Sequence, residues 1–273
     1  MTQTPDTLLD RIGNMMARRL QEESSGYEPY TPSDPDTLRR TLQPGDILLV
    51  EGNQRISAVI KYLTQSTWSH AALYVGDALP KPTDDSPRPR LIEVNLGEGC
   101  IAVPLSKYRT YNTRICRANG LTPEDREAVV DFMVSKLGLK YDTKNIIDML
   151  RYFFPTPPVP VRWRRRMLAF GSGDPTRAIC SSLIAEAYGQ IRYPILPEIT
   201  RIPGHASAQS QYSRREIMHI RHHSLYTPRD FDLSPYFQIV KPTLEFGFDY
   251  RTVAWEEQPD AGASVGSAKA AAN

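Results

Sequence analysis

Cysteine is scarce in this sequence: Cys100, Cys116 and Cys180 are the only three in 273 residues. An odd number with no short spacing excludes a complete disulfide framework and a CxxC zinc or redox site. At least one thiol is therefore free, joined to another chain, or modified. An excess of one charge is also missing. Lys and Arg number 33 against 31 Asp and Glu, a formal net charge of +2, so no global field steers phosphates and nucleic acid is not an expected partner. No apolar run approaches the length of a transmembrane helix. The opening "MTQTPDTLLDRIGNMMARRL" has no apolar core after a basic start, so no secretory signal is expected. These absences lead to the expectation of a cytoplasmic protein with reduced thiols. Proline, by contrast, is plentiful at 23 residues and points to long irregular connections.

Leu8, Leu9, Ile12, Met15, Met16 and Leu20 recur at helical spacing, so residues 1–35 are expected to hold an amphipathic helix over 5–22 and a polar, proline-rich linker. Residues 253–273 have no apolar pattern and are expected to be a disordered tail. Between them, 36–252 reads as one domain, of a size that buries an ample core. Strands are expected at Ile47–Val50, His70–Val75, Arg90–Asn95 and Thr113–Arg117, with "EGCIAV" also strand-like around Cys100. A short helix is expected in "NQRISAVIKYLTQ", with Ile56, Ile60 and Leu63 on one face. Another should run from Thr122 to Leu137, where Thr122 can cap and Pro123 takes the first helical position. "YDTKNIIDMLRYFF" and "RAICSSLIAEAYGQI" complete the helices, while "YTPRDFDLSPYFQIV" and "FGFDYR" read as a turn and returning strands. Strands early and helices late indicate α+β rather than alternating βαβ units.

Two segments carry chemistry. In "STWSHAALYVGD", His70 stands at the mouth of a strand apolar on both faces, where it is either a satisfied core histidine or a base. In "GSGDPTRAICSSLIAEAY", Thr176 is a plausible cap, which puts Cys180 in the first turn of a helix. There the free N–H groups and the helix dipole stabilise a thiolate and lower its pKa, as acyl transfer requires. Small neighbours, Ser181 and Ser182, would let a substrate approach. The other reading of Cys180 is a small buried hydrophobe, and that reading is favoured for Cys100 and Cys116. Glu93, amid apolar residues in "LIEV", is costly to bury without a partner. Either it faces solvent, or an imidazole on the adjacent strand supplies that partner. "MHIRHHS" lacks a third ligand at useful spacing, so no metal site is expected there.

Taken together, "LQPGDILLVEG", "TWSHAALYVGD", "LIEVNLGEGCIAVPLSKY", "LGLKYDTKN" and "ICSSLIAEAYGQI" resemble the permuted NlpC-type papain-like cysteine hydrolases, the YiiX/YebB-like group. The resemblance spans about residues 43–245, and His70 precedes Cys180 as in the permuted group. It implies an α+β, circularly permuted papain-like fold, with a curved antiparallel sheet packed against the helix that carries the cysteine. It further implies Cys180 as nucleophile, His70 as general base and Glu93 as orienting residue, with no metal or organic cofactor. Tyr141 in "KYD", together with Ser181, is a candidate substrate or oxyanion contact. The activity expected first is amidase or peptidase action on a small peptide or amide. The alternative is lipid acyl hydrolysis or transfer, as in the lecithin:retinol acyltransferase-like enzymes, at a membrane surface reached through Arg162, Arg164, Arg165 and Arg166. A non-catalytic binding module is the third reading.

Overall fold

The computed structural model describes residues 22, 27–30, 34–95, 98–139, 179–201, 216–219, 222–252 and 254. The expected helices at 5–22 and 141–154, and residues 162–166, lie outside that set. By its contacts the chain divides into Met1–Pro242 and Thr243–Asn273.

Apolar strand segments build the centre of the first unit. β1 (Ile47–Val50), β2 (His70–Tyr74), β3 (Leu91–Asn95), β4 (Gly99–Val103), β5 (Thr113–Ala118) and β8 (Phe237–Val240) form one sheet in the order β4-β3-β2-β1-β5-β8. Every neighbouring pair in it is antiparallel. β6 (Glu198–Arg201) and β7 (Glu216–His219) pair separately. β1 lies at the centre, with Val50 across from His70 on one side and from Thr113 on the other.

Side chains alternate across the strands, so the sheet feeds two cores. Ile47, Leu49, Ala71, Leu73, Ile92 and Cys116 belong to one core, with residues of helices α3 (Pro123–Ser135) and α4 (Ile179–Gln190). Leu48, Val50, Ala72, Tyr74, Leu91 and Ile115 face the other, covered by α1 (Pro35–Thr41) and a 3-10 turn, Leu105–Tyr108. A sheet buried on both faces explains why His70–Val75 reads as a nearly continuous apolar run.

Local signals fix the helices. Asp34 caps α1, accepting from the Thr37 N–H at 2.9 Å ahead of Pro35. Thr122 caps α3, accepting from Asp125 N–H at 3.1 Å, with Pro123 in the first turn as expected. α2 (Arg55–Thr64) closes on Gln65 in the left-handed region, φ 52°. The GDILL turn is secured by its aspartate. Asp46 is buried, accepts from Gln43 N–H at 2.8 Å and pairs with Arg117 at 2.7 Å, which also donates to Thr41 O at 2.7 Å.

Two expectations are corrected. "TPRDFDL" is not a turn but a helix, α5 (Pro228–Leu233), held by a capping box in which Thr227 and Asp230 satisfy each other's backbone N–H groups. "FGFDYR" forms no strand. The segment turns at Gly247, where φ is +79°, and enters a 3-10 turn, Tyr250–Thr252. Only the short helix α6 (Pro242–Glu245) and this turn are described at that end of the chain. Among the described residues, no helix is long and apolar enough to cross a membrane.

Candidate active site

His70 begins β2, and its strand start is tightly anchored. Ser69 N–H donates to Val50 O at 3.2 Å, and Ser69 Oγ accepts from Gly52 N–H at 2.9 Å. Trp68, nearly buried, donates from Nε1 to Asp232 Oδ2 at 3.2 Å. Asp232 also takes Arg114 Nη1 at 2.6 Å, and the Arg114 guanidinium lies over the Trp68 ring at 4.9 Å. These contacts hold the imidazole's backbone to β1 on one side and to α5 on the other.

Glu93 lies on the neighbouring strand. Tyr74 pairs with Leu91, and counting by twos along each strand puts His70 and Glu93 on that same face. The carboxylate is 0% exposed, which would cost several kcal/mol for an unpaired anion, on the order of magnitude expected for buried charges. It is fully satisfied instead. Oε2 lies 3.3 Å from His70 Nε2 and accepts from Tyr108 OH. Oε1 accepts from Asn95 Nδ2 at 2.9 Å and forms an ion pair with Lys107. Burial pushes the Glu93 carboxyl up, but His70 and Lys107 outweigh it and bring the pKa down to about 2.

Cys180 arrives from the other face of the sheet, in the first turn of α4, where it is buried. It hydrogen-bonds His70, and the backbone N–H groups of Ala71 and Ser181 also face its sulfur. Burial raises a thiol's pKa. Here the His70 charge and these N–H donors overcome that, and the Cys180 pKa is lowered. The same pairing acts on the imidazole: burial opposes its charge, but Cys180 and Glu93 prevail and lift its pKa to about 10. Both shifts favour the charged forms, a thiolate at Cys180 and an imidazolium at His70. The other two thiols differ. Burial pushes Cys100 up to about 11, with Glu93 adding to it, and burial also drives Cys116 upward. All three cysteines are free.

The structure thus brings together Cys180, His70 and Glu93. Ser181 lies beside them, but its side chain is fully buried and donates from Oγ to Tyr226 O at 2.8 Å, so it presents its N–H to the sulfur. Tyr141 lies outside the described residues, as do Arg162, Arg164, Arg165 and Arg166. Among the described residues, no group of three or more His, Cys, Asp or Glu could hold a metal ion.

Sequence reasoning missed Lys107 and Tyr108, which clamp Glu93 from the 3-10 turn after β4. They stand 14 and 15 positions beyond it, and only the β3–β4 pairing, with Glu93 across from Ile101, folds them back. One signal was available: a buried carboxylate has about four acceptor sites, and a single imidazole fills one of them.

Residues 41–153, which include His70 and Glu93, match the model of a family described as permuted papain-like amidase enzymes, YaeF/YiiX, family C92. No curated protein matches the chain. Among solved structures, the metalloprotein yiiX of Escherichia coli O157:H7 aligns at 15% identity and a TM-score of 0.42, over 74% of this chain and 97% of its own.

Proposed function

Because residues 41–153 match the model of permuted papain-like amidase enzymes, we propose that the chain is a cysteine hydrolase of that class and cleaves amide bonds through Cys180, His70 and Glu93. The observation that carries this reading is the buried hydrogen-bonded series from the Cys180 thiol through His70 to Glu93. Its lowered thiol pKa sits in the one cysteine that opens a helix. Such a series needs a nucleophile, a base and a group that orients the base, and each residue type here suits its position.

In the proposed reaction the Cys180 thiolate attacks the carbonyl carbon, and an S–C bond forms as the carbonyl π pair moves to oxygen. On this reading, backbone N–H groups at the start of α4, among them that of Ser181, serve as donors to the developing oxyanion. The tetrahedral species collapses with cleavage of the C–N bond, and the imidazolium of His70 gives its proton to the departing amine. Neutral His70 then takes a proton from water, whose oxygen attacks the thioester. Its collapse frees the acid and restores the thiolate and the imidazolium. Glu93 stays ionised throughout, holding Nε2 so that Nδ1 is turned to the sulfur.

The test is the rate of Cys180 alkylation by iodoacetamide against pH, with intact mass locating the label, in wild type and His70→Ala. The reading expects fast alkylation well below the ordinary thiol pKa of about 8.5, with that low-pH reactivity abolished in the variant. An ordinary thiol profile in the folded wild type would make Cys180 structural.

A further inference from the structure

The clamp on Glu93 is more than packing requires. Tyr108 OH and Asn95 Nδ2 already satisfy one carboxylate oxygen each, so a neutral neighbour would suffice in place of Lys107. The lysine is also 37% exposed, although its ammonium reaches inward to Oε1 of a wholly buried anion. We propose that Lys107 is an electrostatic positioning residue, whose charge beside Glu93 sets the pH range over which the Cys180–His70 pair stays ionised. This rests on the triad reading above and deepens it.

The argument is one of charge balance. Without Lys107 the site holds a thiolate, an imidazolium and a carboxylate, one net negative charge shielded from water. Lys107 brings the sum to zero. An added cation favours the anionic form of the thiol and disfavours the cationic form of the imidazole, so both transitions move to lower pH. Among the described residues, the other groups facing the site do not supply this charge. Tyr108, on the same 3-10 turn, is buried and its pKa is pushed well up by burial and by Glu93, so it remains a neutral donor. Tyr111 behind it is also a phenol, edge-on at 5.7 Å. Cys100 on β4 stays a thiol up to about pH 11. Asn95 on β3 is neutral and shares its amide with Glu98 at 2.8 Å, a second anion on that side. Among the described residues, β2 and α4 bring His70 and Cys180 themselves and no further charge to the site.

The experiment is the Cys180 alkylation profile in wild type, Lys107→Gln, Lys107→Met and Lys107→Arg, with circular dichroism reporting the fold. Gln retains a donor without the charge, and Arg retains the charge. The expected result is that Gln and Met shift both limbs of the profile to higher pH by about half to one unit, while Arg overlays wild type. A Gln or Met profile that coincides with wild type would overturn the proposal and leave the triad standing. A wild-type profile of an ordinary thiol would overturn both. If neither neutral variant folds, the wild type decides the matter by nitrogen NMR of its lysine ammonium groups. The Lys107 signal is expected to move where His70 titrates, and a signal indifferent to that step would end the proposal.

Discussion

At the scale of single residues, the candidate site is an ion-pair chain whose stabilisation depends on pH in two opposite senses. Glu93 has its pKa lowered from 4.5 to about 2, so the stability it provides is complete above 4.5 and is lost as acid approaches pH 2. His70 is raised from 6.5 to about 10, so its contribution is complete below 6.5 and is lost as pH climbs through about 10. The denaturant midpoint of wild type is therefore expected to exceed that of His70→Ala near pH 6, and the gap should close by pH 10 to 11. Tyr108→Phe removes one donor from Glu93 Oε2. It should cost about 1 kcal/mol in a urea titration and slow Cys180 alkylation at pH 7 several-fold, through a less firmly held imidazole. The three thiols should also separate in a single labelling experiment. Peptide mapping after brief iodoacetamide treatment is expected to find the label on Cys180, with Cys100 and Cys116 labelled only after denaturation, because burial keeps both protonated.

At the scale of elements, the connections around β1 hold the site in register. Gly52 follows β1 and packs against the turn that leads into β2. A Cβ there would lie 2.2 Å from Ser57 Oγ and 2.9 Å from Ser69 Oγ. Gly52→Ala should lower stability by about 1–3 kcal/mol through overpacking. It should also slow Cys180 alkylation, because the displaced Ser69 precedes His70, and Gly52→Ala with Ser57→Gly should recover only part of both. At the opposite end of β1, Asp46 is buried, and burial raises its pKa in spite of Arg117. Arg117→Met leaves that carboxylate unpaired and should cost about 3–5 kcal/mol, partly restored by Asp46→Asn in the same chain. A thermal melt of the three variants checks both the loss and the rescue.

At the scale of the whole molecule, the parts legible in the sequence are those whose cause is local. Ile47–Val50 matches its expected bounds because a four-residue apolar run between a PGD turn and Gly52 has no other length to take. The helix over Pro123–Ser135 announces itself through Thr122 and Pro123. Glu93 was recognisable because an anion amid Leu, Ile and Val needs a partner. What escaped depends on distant chain. Lys107 and Tyr108 have no pattern of their own. β6 and β7 are four residues each, and "EITR" lies in proline-rich surroundings with no alternation to read. The α5 helix was readable in principle, since Thr227, Pro228 and Asp230 spell a cap, a first-turn proline and a reciprocating acid, but "TPRD" also suits a turn.

The order of the site residues along the chain has a consequence for synthesis. The ribosome makes His70 and Glu93 long before Cys180, and β8, which pairs with β5, later still. A growing chain therefore holds the base and its carboxylate for some 100 residues' worth of elongation without the proposed nucleophile, about five to twenty seconds at ordinary translation speeds. Over that interval the nascent protein lacks the proposed nucleophile and carries only Cys100 and Cys116, whose thiols are protected by burial once the sheet has formed. On the proposed reading, chains that end before residue 180 are expected to be inert rather than merely unstable.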